Sequence, residues 1–156
     1  VAEGMADLEM ALKQDPSLGP KGLWEAMSNA TNLRGDWKRH ADLLRTLAEG
    51  TPRNADMLEA CAQAMMDIPV SESCDLDFAL RASSKAVELT KRLDPTALMT
   101  LAKAQQRRGD PAAALKTVDE AMRLLPDGTD ASQRKLLLHL RRQLEDELAH
   151  APARKR

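Results

Sequence analysis

The chain has 156 residues, 43% apolar, 30% charged and 2% aromatic, and a net charge of −1. The apolar fraction excludes a disordered tail, and no uncharged apolar run is long enough to cross a bilayer as a helix. Balanced charge, with Trp24, Trp37 and Phe78 as the only aromatic residues, argues against nucleic-acid and anionic-membrane partners.

Residues 1–16 read as one helix, closed by Asp15-Pro16. After the Pro16-Ser17-Leu18-Gly19-Pro20 break, residues 21–54 read as two helices split by Gly35-Asp36 and ended by Gly50-Thr51-Pro52. Residues 55–93 read as a second pair with an enlarged turn inside 67–75, and residues 95–128 as a third pair turning at Gly109-Asp110-Pro111. A longer helix is expected over 130–150, then a frayed basic tail, 151–156. Ala, Leu, Met, Lys, Arg, Glu and Gln dominate and β-branched residues never alternate with polar ones, so strand content should be near zero.

A repeat emerges on counting back from the prolines that follow helices. From Pro126, offsets of five, eight and twelve give Ala121, Val118 and Ala114, seventeen gives Gly109, and the next cluster is Ala102, Leu101 and Leu98. From Pro52 the same offsets give Leu47, Leu44, His40, Gly35, Ser28, Met27 and Trp24. The middle unit keeps Ala79, Ser83 and Ala86 at the same mutual spacing. Small residues let two antiparallel helices cross closely, and large ones fill a neighbour's groove. One such hairpin cannot bury its own apolar face, so units must stack.

These residues resemble the tetratricopeptide repeat (TPR) family, whose unit is a helix–turn–helix of about 34 residues. The best match is Leu98…Leu101-Ala102…Gly109-Asp110-Pro111…Ala114…Ala121…Pro126, and the resemblance covers roughly 126 of 156 residues. It implies an all-α α-α superhelix, a TPR-like solenoid of helical hairpins with a C-terminal capping helix. Residues 1–150 then form one domain: a half repeat (1–16), repeats at 21–54, 55–93 and 95–128, and the cap (130–150). A start at Val1, halfway through a repeat, suggests a piece of a longer chain. His40 stands where the family prefers a small residue, which predicts looser packing there. Residues 75–90 and 94–102 are also similar to C-terminal repeat regions of bacterial thioredoxin-like redox proteins, which would make the chain a docking or spacer part of such an enzyme.

Catalytic signatures fail in turn: there is no phosphate loop, no His-Glu-x-x-His and no nucleophile elbow. His40, His139 and His150 have no acidic partner at a fixed spacing, and Glu145, Asp146 and Glu147 fan around one helix. Cys61 reads as a small buried hydrophobe and Cys74 as a residue of a polar connection; neither has metal spacing. No catalytic residue, metal or cofactor is expected.

In TPR arrays the first helix of each hairpin lines a concave groove. The resemblance thus implies a binding face of Glu25, Asn29, Asn32, Asp56, Glu59, Gln63, Met99, Lys103 and Gln106, for a protein or peptide of unknown identity. The groove is acidic in its first half and basic near Lys103 and Arg107. Some members clamp a C-terminal carboxylate with cations and asparagines; here the matching positions are Glu25, Asn29, Ala60, Thr96 and Thr100, and only Asn29 fits. A further expectation is homodimerisation through a stripe of Leu136, Leu137, Leu140, Leu144 and Leu148.

Overall fold

The computed structural model describes Met10, residues 35–125 and residues 131–150. Among these, six long helices follow in order: α1 (Trp37–Gly50), α2 (Ala55–Met66), α3 (Leu76–Leu89), α4 (Pro95–Arg107), α5 (Pro111–Leu124) and α6 (Ala131–His150). No strand occurs among the described residues. Apart from Met10, the leading half repeat (1–16) lies outside them, as do the first helix of the 21–54 unit, residues 126–130 and the 151–156 tail.

Local chemistry starts the helices where the sequence predicts. Asp36, Asn54, Asp75, Asp94 and Asp110 each cap an N-terminus, their side chains accepting a backbone N–H of the first turn at 2.8–3.1 Å. Pro95 and Pro111 occupy the first helical position, where a missing N–H costs nothing.

The helix ends are less uniform. After α4, Gly109 takes φ +82 and the Asp110 N–H donates to the Gln105 carbonyl at 3.0 Å, the glycine-terminated reversal expected of a tight hairpin. After α3 the same reversal is made without glycine: Lys91 (φ 53) and Arg92 (φ 59) are both left-handed, with the Arg92 N–H on the Val87 carbonyl at 2.9 Å. Between α2 and α3, the enlarged turn is an irregular connection over 67–75. Ile68 is buried in it, and the Val70 carbonyl accepts the N–H groups of Ser73 and Cys74.

Each helix packs on its neighbours in sequence, and α2 also touches α4 directly. One core joins α1, α2 and α3 around Leu44, Leu58, Cys61, Met65 and Ala79; a second joins α4, α5 and α6 around Leu98, Val118, Leu137 and Leu144. Leu80 packs against both. Removing a leucine of this kind fully from water contributes about 1.5–3 kcal/mol. The alanines of the repeat pattern, Ala79, Ala86, Ala102, Ala114 and Ala121, are completely enclosed, as close crossings require.

Two expectations need correction. His40 does not loosen α1: it is 3% exposed, with Trp37 edge-on at a ring-centroid distance of 6.2 Å. Burial holds its imidazole below the usual histidine range. The leucine stripe of α6 is not one surface. Leu137, Leu140 and Leu144 are buried against α5 and its neighbours, whereas Leu136 is 57% and Leu148 37% exposed, and Leu138 is exposed as well. At about 100° and 1.5 Å per residue, the exposed members of the stripe, Leu136 and Leu148, stand roughly 120° around and about 18 Å along the helix from each other, so they form no common patch. The apolar face of α6 is spent on covering the last hairpin, and Arg141 reinforces this by donating to Asp119 of α5 at 2.9 Å.

Candidate functional site

The candidate face is the surface where α2 and α4, the first helices of the second and third hairpins, lie side by side. Of the nine residues that the sequence assigns to it, Glu25, Asn29 and Asn32 lie outside the described residues. The other six fall on these two helices. Asp56 is exposed, while Glu59, Gln63, Met99, Lys103 and Gln106 are half-buried.

Contacts between the two helices explain the half-burial. Thr100 donates to Glu59 Oε1 at 3.1 Å, and Lys103 Nζ donates to Gln63 Oε1 at 3.2 Å. One turn further on, Arg107 donates to the Met66 carbonyl, one of the last free carbonyls of α2. α6 reaches α4 as well: Gln133 donates to Thr96 at 3.2 Å, and Gln106 donates to Glu147 of α6. Polar side chains expected to await a ligand therefore also stitch successive first helices together. Their spacing along a helix is readable in sequence; their pairing across some forty residues of chain is not.

Electrostatics single out Glu59. Burial raises its carboxyl above the ordinary range; the Thr100 hydroxyl opposes the shift, and the nearby Asp94 and Asp56 charges add to it. Lys103 lies within reach of this field, but its ammonium is hydrogen-bonded to Gln63. Thr96 and Thr100, at positions matching a carboxylate clamp, present no cation, and Thr100 is 2% exposed.

The other chemistry-bearing residues do not converge. His40 is inside α1, while His139 and His150 are exposed on α6. Cys61 is enclosed and burial pushes its thiol up to about 12; Cys74 is half-buried, and both are free thiols. Among the described residues no group of three or more His, Cys, Asp or Glu side chains is placed to hold a metal ion, and no helix is long and apolar enough to cross a membrane.

The sequence did not reveal an open depression of about 450 Å³ beside the 67–75 connection, lined in part by Cys74, Asp75, Asp77, Arg45 and Arg108. Its cations are already paired: Arg45 with Asp42 and Asp75 at 2.8 and 3.0 Å, and Arg108 with Asp77 at 2.8 Å. Asp75 is at once helix cap and ion-pair partner, and its carboxyl is held below the usual range by the Phe78 N–H and Arg45 against the opposing effect of desolvation.

No family model matches the chain, and no curated protein matches it. Among solved structures it is similar to the MamA protein, known from a crystal structure, with 17% identity and a TM-score of 0.54. The match covers 80% of this chain and 64% of that one, so the chain spans less than two thirds of MamA. Identity at that level speaks to fold alone. The fold is an all-α α-α superhelix, a TPR-like array of helical hairpins with α6 as its capping helix. The similarity to repeat regions of thioredoxin-like proteins finds no support in these comparisons.

Proposed function

We propose that the chain is a non-catalytic protein–protein interaction module, taking a segment of a partner protein on the face formed by the first helices of its stacked hairpins. The observation that supports this reading best is the cross-helix bonding of that face. Glu59 to Thr100 and Gln63 to Lys103 hold long side chains in place before any partner arrives. Side chains already ordered lose little further freedom on association, which is where a preformed surface gains affinity.

The test is photo-crosslinking from the face. With a crosslinking amino acid at Asp56 or Met99, a discrete partner band is expected that is absent with the probe at Lys116 on α5. Equal, diffuse labelling from all three positions counts against the reading.

A further inference from the structure

We infer that the segment docking on the α2–α4 face is bipolar, with a basic side chain over the Asp56–Glu59 end and an acidic one over the Lys103–Arg107 end. This rests on the docking reading above and specifies the chemistry of the partner.

Asp56, Glu59, Lys103 and Arg107 form no ion pair among the described residues. Elsewhere among the described residues carboxylates and cations pair freely, as in Arg92–Glu120, Arg108–Asp77 and Arg141–Asp119. Here they do not. Among the described residues Asp56 makes neither a hydrogen bond nor an ion pair, and the half-buried Glu59 accepts a hydrogen bond from the neutral Thr100 hydroxyl, with the Lys103 ammonium acting on it through space but not paired to it. Lys103 and Arg107 give hydrogen bonds to neutral acceptors, the Gln63 amide and the Met66 carbonyl. Glu59 and Met66 are seven positions apart on α2, which separates the two poles by about 10 Å along the axis. Met99 lies half-buried on the same face as its apolar element.

Helix dipoles account for part of this layout, since Asp56 lies in the first turn of α2 and Arg107 in the last turn of α4. They do not account for Glu59 or Lys103, which stand inside their helices. Burial and the Asp94 and Asp56 charges outweigh the opposing Thr100 hydroxyl and Lys103 charge at Glu59, and a carboxylate so desolvated costs stability that an uncharged residue would not. Such a cost is retained where the missing counter-charge comes from outside. An extended segment rising about 3.3 Å per residue spans the poles in roughly three residues, with an apolar side chain beside its basic one, over Met99 at the acidic end.

The experiment uses the full chain and fluorescein-labelled synthetic peptides of about ten residues in anisotropy titrations. One peptide carries Lys and Glu about three residues apart with a Leu next to the Lys; three controls of equal length and Leu content carry only Lys, only Glu or only Gln. The bipolar peptide is expected to bind about tenfold tighter than any control and to weaken with salt. Glu59→Gln and Lys103→Gln are each expected to lower its affinity about fivefold while leaving the Gln peptide unchanged. Glu59→Gln is also expected to melt no lower than the parent, which separates lost binding from lost folding. Equal binding of all four peptides, no binding of the bipolar one, or indifference to both substitutions overturns the inference. Equal binding abolished by Met99→Asp would still leave the docking reading standing.

Discussion

The Arg92 guanidinium lies against the Glu120 carboxylate as a two-pronged fork, Nε to Oε1 at 2.7 Å and Nη2 to Oε2 at 2.5 Å. It ties the α3–α4 reversal to α5 and depresses the Glu120 carboxyl while raising the arginine. The backbone beneath the fork is left-handed at Lys91 and Arg92, which costs a non-glycine residue about 1–2 kcal/mol.

The two positions should therefore respond differently to glycine. Lys91→Gly removes a strained backbone with no side-chain bond to lose, and is expected to stabilise by about 1 kcal/mol, or ~2–4 °C in Tm. Arg92→Gly relieves similar strain but forfeits the fork, so its net change should stay within about 0.5 kcal/mol. Urea unfolding of both variants checks the contrast, and a Lys91→Gly that destabilises would contradict the strain argument.

The thiols should separate kinetically. Cys61 is enclosed, with its thiol near 12, and Cys74 is half-buried in the 67–75 connection. Iodoacetamide at pH 8 is expected to label Cys74 in the native chain and Cys61 only after denaturation. Peptide mass mapping reads the order directly.

Leucines of α6 that look alike in sequence should differ in energy. Leu144→Ala opens a cavity in the second core and is expected to cost about 2–5 kcal/mol. Leu136→Lys, at an exposed position, should stay within about 0.5 kcal/mol. Comparable losses from both would restore the continuous stripe.

His40 and Glu59 should tilt the pH dependence of stability in opposite senses. The His40 imidazole is depressed in the fold, so its contribution is intact above its ordinary pKa of 6.5 and is lost as pH falls below it. The Glu59 carboxyl is raised, so the fold holds its proton longer than the open chain does, and stability falls as pH rises from the ordinary 4.5 through the raised value. Glu59→Gln is expected to steepen the rise in stability from pH 4.5 to 6.5, measured by denaturation across that range. His40→Gln should flatten it.

What the sequence disclosed depended on how local the cause was. Gly109, Asp110 and Pro111 declare a hairpin because cap, turn and first helical residue lie together in three positions. Lys91 and Arg92 declare nothing, since their conformation is imposed by the packing of α3 against α4 rather than by their own preference. The face on α2 and α4 was legible as a set of exposed periodic positions. That Thr100 is buried and bound to Glu59 was not, because it depends on the lateral register of two helices far apart in the chain. Leucine spacing on α6 announced an apolar helix, but which leucines α5 covers is fixed by its rotation about the axis.

The bonds that Thr100, Lys103 and Arg107 donate to Glu59, Gln63 and Met66 run straight between α4 and α2, bypassing α3. A seam of this kind is a riveted joint rather than a bellows: a pull on either strut is expected to move both, with bending left to the irregular connection at 67–75.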